Sequence, residues 1–188
     1  MCRKKDLKIL LPFFHFMSGK IIKGEDGWID YVIDEWDKAG MKFYGILTNP
    51  ESTEVEYPGR KVSDKPMFSK GYEDCNGVVL LGNKHSGLTH YSLAKGVPEI
   101  YLQKLINEMT SLTNVEELTA VLVGGDFTHF NRNKKFLEDY EIPIIGQYLE
   151  KHKGRIFPKR YRKKDLAVMP KTKEVIICIA ANYFKQLA

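Results

Sequence analysis

The chain has few cysteines and no long apolar run, and both features restrict what it can be. Its 188 residues include three cysteines, Cys2, Cys75 and Cys178, without clustered spacing. An odd number of widely spaced cysteines argues against a disulfide framework and against a structural zinc site. It predicts a reducing, cytoplasmic location. No stretch approaches the ~20 apolar residues that a membrane-spanning helix requires, so no membrane span is predicted.

The chain also lacks a strong excess of charge of one sign. Its 29 Lys and Arg residues against 24 Asp and Glu residues give a net charge of +5. This excess is too small and too dispersed to predict nucleic-acid binding. The densest basic segment is the run KRYRKK at 159–164, which is typical of a solvated loop or, as an alternative, of a contact for an acidic partner.

The hydrophobic pattern predicts strands interleaved with helices in one domain, residues 1–188, without repeats or linkers. Helices are predicted over 28–38, 98–109 and 131–140, the first ending at Gly40. Strands are predicted over 8–16, 41–47, 77–81, 87–93, 118–123, 142–145, 166–169 and 175–180, with 51–63 as a hairpin edge. This order implies an α/β (α+β) sandwich of mixed β-sheets with packed helices.

Two chemically interesting residues flank a predicted β-hairpin. The turn that begins Gly82-Asn83-Lys84 joins two strands, with Cys75 just before the first and His90 inside the second. The midpoint between these two residues falls at 82–83, so the hairpin predicts that they face each other, with Cβ atoms ~5 Å apart. A thiol beside an imidazole is the arrangement of a cysteine nucleophile with its base. The alternative is a cysteine that packs as a small hydrophobic residue.

The residues around this hairpin follow the order of a known family signature. Ser69, Gly71 and Cys75 precede an apolar strand and a turn, and Gly-Leu-Thr-His-Tyr-Ser-Leu follows at 87–93. Further on come an apolar strand that ends in Gly124-Gly125, a helix with Ile-Pro-Ile at 142–144, and Gly-Arg at 154–155. In this order, the segment 56–180 resembles the CheD family of protein-glutamine deamidases. Residues 1–55 lie outside the resemblance and are predicted to add strand, helix and strand elements.

The resemblance implies a cysteine-dependent amidohydrolase with a sandwich fold shared by deamidase toxins of the cytotoxic necrotizing factor type. It implies Cys75 as the nucleophile, His90 as the base and Ser69 as the hydroxyl that orients the histidine. A backbone N–H at Cys75 or its neighbour would stabilise the oxyanion. The substrate would be a protein with a target glutamine, a chemoreceptor or another signalling protein. The chemistry requires no cofactor, and Asp126 with His129 has no third ligand that would predict a metal site.

Two other functions remain open from the sequence. Glu73-Asp74 stands where the family has Gly-Ser before its cysteine. Adjacent carboxylates raise the pKa of a thiol, which favours a non-catalytic CheD-like binding or regulatory protein. The basic run at 159–164 favours a binder of acidic partners.

Overall fold

The computed structural model describes residues 17–23, 36–72, 75–92, 98–124, 127–149 and 164–180. The helices in these ranges are α1 (Trp36–Leu47), α2 (Pro98–Thr110) and α3 (Phe127–Asp139), with a 3-10 turn at Val115–Glu117. The strands are β1 (Met17–Lys23), β2 (Thr53–Glu54), β3 (Gly59–Ser63), β4 (Met67–Tyr72), β5 (Gly77–Leu81), β6 (Ser86–His90), β7 (Thr119–Gly124), β8 (Ile144–Leu149), β9 (Lys164–Met169) and β10 (Glu174–Ala180).

These strands form two sheets of five. Sheet A has the order β1-β10-β9-β4-β2, and sheet B has the order β3-β6-β5-β7-β8. Both sheets are mixed, because β2 pairs with β4 in parallel and β7 pairs with β8 in parallel, while their other pairings are antiparallel.

The two sheets pack against each other, and helices cover their outer faces. The central core joins residues of sheet B, such as Val79 and Val121, to residues of sheet A, such as Leu166 and Ile177. Helix α1 packs on the outer face of sheet A, and α2 and α3 pack on the outer face of sheet B. Because β5 is buried on both faces, its sequence GVVLL is continuously apolar. The predicted sandwich of mixed sheets with packed helices is confirmed. Among the described residues, no helix is long and apolar enough to cross a membrane.

The strand predicted over 41–47 is wrong, because this segment belongs to helix α1. Phe43 and Ile46 are buried against sheet A, whereas Tyr44 and Gly45 are exposed. Burial at a spacing of three to four residues is the helical period. The helix also continues through Gly40, where it was predicted to end. Residues 28–35 of the predicted helix and the predicted strand 8–16 lie outside the described residues.

The hairpin edge predicted over 51–63 is also wrong, because its two strands join different sheets. Strand β2 pairs with β4 in sheet A, and β3 pairs with β6 in sheet B. Between them, the buried Val55 donates its N–H to the Phe68 carbonyl over 2.8 Å and extends the pairing with β4. The segment 55–58 therefore crosses from one sheet to the other.

The remaining predicted elements are present, with boundaries shifted by a few residues. They are the β5–β6 and β9–β10 hairpins, helices α2 and α3, and strands β7 and β8. Strands β1 and β4 were not predicted, and β4 carries Ser69.

Candidate functional site

The register of the β5–β6 hairpin places Cys75 and His90 on the same face. Val79 pairs with Leu88, and a bridge joins Asn76 to Tyr91. In this register His90 lies opposite Gly77, and Cys75 lies one step beyond Asn76. The two residues are therefore diagonal neighbours, whose Cα atoms are typically ~7–8 Å apart. The prediction that they face each other directly is corrected, because the turn is centred between residues 83 and 84 rather than at 82–83.

A bulge in β4 aims two side chains at His90. The pairing of β4 with β9 shifts register between Ser69 and Tyr72, where Gly71 has φ 85°. A glycine in the left-handed region is characteristic of such bulges. In a regular strand, residues three apart point to opposite faces. The extra residue lets both Ser69 and Tyr72 point inward, and both are fully buried.

The predicted hydrogen bond between Ser69 and His90 is present, and it assigns the histidine tautomer. Ser69 Oγ lies 2.9 Å from His90 Nδ1 and also forms a short hydrogen bond to the Val55 carbonyl. Since a carbonyl can only accept, the single hydroxyl hydrogen of Ser69 is directed at Val55. His90 must then donate Nδ1–H to Ser69, which leaves the Nε2 lone pair as the basic site of the neutral ring.

The other ring nitrogen, His90 Nε2, is buried without a hydrogen bond to any group in the described part of the chain. Burial lowers the pKa of His90 from 6.5 to about 4, so the ring is neutral near pH 7. A buried, unpaired acceptor costs roughly 1–3 kcal/mol and calls for an explanation, such as a catalytic role. The ring therefore has the protonation state that a general base requires.

Tyr72 holds the imidazole from one side. Its ring stacks on His90 with a centroid distance of 3.8 Å, and its hydroxyl donates to the Thr89 carbonyl over 2.7 Å. Burial raises the pKa of Tyr72 far above its ordinary value, and the nearby Cys75 adds to this shift. Cys75 and Tyr72 both belong to the buried core between the two sheets. Tyr72 is thus a neutral, fixed platform for His90.

Gly77, opposite His90, provides the space for this platform. A Cβ atom at residue 77 would lie 2.6 Å from Leu166 Cδ1 and 2.9 Å from Tyr72 Cε1. We expect Gly77→Ala to lower the free energy of unfolding by roughly 1–3 kcal/mol, as overpacking does. Gly45→Ala is the matched control, because nothing lies within 4 Å of its added Cβ on α1, and alanine should stabilise that helix by roughly 0.5–1 kcal/mol. Urea denaturation checks both, and equal stability of the Gly77→Ala variant and the wild type would contradict the packing.

Three further contacts at the site were missed by the sequence analysis. The ring centroid of Tyr57 lies 5.0 Å from that of His90, and the Tyr57 hydroxyl lies 2.7 Å from Ser92 Oγ. The third contact is the Val55 carbonyl that orients Ser69. The only sequence signal was that Ser92 follows His90 at the alternating spacing of a strand. Neither Val55 nor Tyr57 had a local signal, because the crossing segment reaches the site through tertiary contacts.

Some of the remaining predicted site features are described by the structure, and others lie outside the described residues. Cys178 is packed in the outer core of sheet A, and burial raises the pKa of its thiol to about 12. Lys164, predicted as the end of a basic loop, is instead a fully buried residue of β9. Glu73-Asp74 and residues 159–163 lie outside the described residues. Among the described side chains, no group of three or more His, Cys, Asp or Glu could hold a metal ion.

Comparisons with known proteins do not assign a family to the chain. The sequence matches no protein-family model, and a search of curated proteins gave no match. Cys75, His90 and Ser69 line neither the surface cavity of about 520 Å³ beside Arg60 nor that of about 430 Å³ beside Ile142.

Proposed function

We propose that the chain is a CheD-like protein-glutamine deamidase, a cysteine-dependent amidohydrolase with Cys75 as nucleophile and His90 as base. The main supporting observation is the chain of contacts from the Val55 carbonyl through Ser69 to His90, which leaves a neutral imidazole with an uncommitted Nε2. Cys75 lies on the same face of the hairpin, one diagonal step from that ring. The resemblance of segment 56–180 to CheD proteins supports the choice of substrate.

In the proposed reaction, His90 Nε2 accepts the proton of the Cys75 thiol as the sulfur attacks the carboxamide carbon of a glutamine side chain. The imidazolium then gives this proton to the nitrogen, the C–N bond breaks, and ammonia leaves. Water, activated by His90, attacks the thioester carbon and breaks the C–S bond, which yields glutamate and restores the thiol. The Asn76 N–H cannot stabilise the oxyanion, because it already donates to the Tyr91 carbonyl over 2.9 Å.

The proposed setting is a reducing cytoplasm, with a signalling protein such as a chemoreceptor as the substrate. Neither Cys75 nor Cys178 forms a disulfide bond in the structure, which is compatible with that setting. The test is incubation of the protein with folded proteins and peptides that contain glutamine, followed by measurement of ammonia release. Conversion of a glutamine adds ~1 Da to the target, which mass spectrometry locates. Absence of ammonia release and of this mass change across the panel would support the non-catalytic alternative.

Ser69→Ala is expected to lower turnover by about tenfold or more, because Nδ1–H loses its acceptor and the tautomer is no longer held. The buried Val55 carbonyl also loses its donor, which should cost roughly 1–3 kcal/mol of stability. Ser69→Thr is the matched control, since it keeps the hydroxyl and should restore most of the turnover. Initial rates of ammonia release check both variants, and an unchanged rate in Ser69→Ala would remove Ser69 from the site.

A further inference from the structure

Tyr57 and Ser92 form a hydroxyl pair beside the proposed catalytic residues. Ser92 lies opposite Cys75 when the hairpin register is extended one step beyond the Asn76–Tyr91 bridge. The Tyr57 ring is tilted by 58° against the His90 ring at 5.0 Å, and its hydroxyl is 2.7 Å from Ser92 Oγ. The pair therefore contacts the proposed base and adjoins the proposed nucleophile.

Exposure distinguishes Tyr57 from His90, Cys75 and Ser92. His90, Cys75 and Ser92 are 2%, 8% and 8% exposed, whereas Tyr57 is 39% exposed. A molecule that reaches Cys75 past this part of the surface thus meets Tyr57. The segment 55–58 supplies both Tyr57 and the Val55 carbonyl that orients Ser69. This one connection between the sheets therefore helps to orient His90 through Ser69 and also places the Tyr57 ring beside it.

The hydrogen-bonding capacity of the pair matches a primary carboxamide. Two hydroxyl groups carry two hydrogens, and the bond between them uses one. One hydrogen and several lone pairs remain, with no other hydrogen bond assigned to either hydroxyl in the described part of the chain. A carboxamide offers one oxygen acceptor and an NH₂ donor group. The Tyr57–Ser92 pair can donate a hydrogen bond to the carboxamide oxygen and accept one from the NH₂ group. A carboxylate product offers acceptors only.

We propose that Tyr57 and Ser92 bind the carboxamide group of the substrate and discriminate the glutamine side chain from its carboxylate product. This inference rests on the proposed function, because it places the substrate at Cys75. It adds two substrate-binding residues that the CheD-like pattern of Cys75, His90 and Ser69 does not contain.

The test compares two thiol reagents on the full-length protein, so it requires no identified substrate. In iodoacetamide, a carboxamide is bonded to the CH₂ carbon that the Cys75 thiolate attacks, and iodide leaves. Methyl methanethiosulfonate carries no amide and transfers its methylthio group, with loss of methanesulfinate. Labelling rates of the Cys75 peptide are followed by mass spectrometry, and the buried Cys178, which should stay unlabelled, is the negative control.

Tyr57→Phe keeps the ring on His90 but removes the hydroxyl, and Ser92→Ala removes the other hydroxyl. In each variant we expect the iodoacetamide rate at Cys75 to fall about three- to tenfold, the effect of one neutral hydrogen bond. The methyl methanethiosulfonate rate should not change. Tyr44→Phe is the matched control, since Tyr44 on α1 is also 39% exposed, and it should leave both rates unchanged.

A purely structural role for the pair would change both rates by the same factor, and this result would overturn the inference. Unchanged iodoacetamide rates in Tyr57→Phe and Ser92→Ala would also overturn the inference. If Cys75 is still reactive in that experiment, the proposed function is not contradicted. A wild-type Cys75 that reacts with neither reagent would overturn the proposed function and, with it, this inference.

Discussion

Cys75→Ser is expected to abolish ammonia release and the mass gain on the target protein. Loss of a nucleophile in a hydrolase typically costs on the order of 10³-fold or more in turnover. Serine cannot substitute, because an alcohol holds its proton much more strongly than a thiol does. Ammonia release at neutral pH from wild type and variant, at equal concentrations of folded protein, measures the loss.

Cys178→Ser is the control for this experiment. Cys178 is 1% exposed in the outer core of sheet A, and burial raises the pKa of its thiol to about 12. Such a thiol is inert at neutral pH, so the variant should retain wild-type turnover when it is folded. Full deamidation by Cys75→Ser would show that the nucleophile lies elsewhere.

The stability of the wild type is expected to fall by about 3 kcal/mol more than that of His90→Asn between pH 7 and pH 4. Burial lowers the pKa of His90 from 6.5 to about 4. The unfolded chain therefore binds more protons than the folded chain in this interval, so protonation favours unfolding. The contribution of His90 to stability is present above pH 6.5 and is lost as the pH falls toward 4. Asparagine does not titrate, so His90→Asn lacks this contribution.

Urea denaturation of both proteins across this pH range measures the difference in their free energies of unfolding. Because the two proteins share all their other titratable groups, the effect of those groups cancels in the comparison. His85→Asn is the matched histidine-to-asparagine control, because His85 is a partly exposed residue of the β5–β6 turn. His90→Asn should also lose about 10²- to 10⁴-fold in turnover, the usual contribution of a general base. Parallel stability curves for the wild type and His90→Asn would contradict a histidine that is buried in its neutral form.

Much of the architecture was predictable because its signals are local. The β5–β6 hairpin follows from the apolar run GVVLL, the turn at Gly82-Asn83-Lys84 and a second short strand after it. Helix α2 begins at Pro98, a favoured first helical residue. The errors occurred where tertiary contacts decided the outcome. Segment 41–47 is apolar enough for a strand, but the burial of Phe43 and Ile46 on sheet A stabilises a helix. Strands β2 and β3 look like a hairpin, yet each pairs with a different sheet.

For the candidate site, the sequence alone determined the residue types and their order: a thiol before a hairpin, an imidazole within it, and a hydroxyl upstream. It could not determine their arrangement. The bulge at Gly71 that turns Ser69 and Tyr72 inward depends on the pairing of β4 with the distant strand β9. The tautomer of His90 depends on Val55, which reaches Ser69 through the crossing between the sheets. Hairpin turns and helix starts depend on neighbours along the chain, whereas the site is assembled from segments that meet only when the two sheets pack, and tertiary structure alone decides that packing.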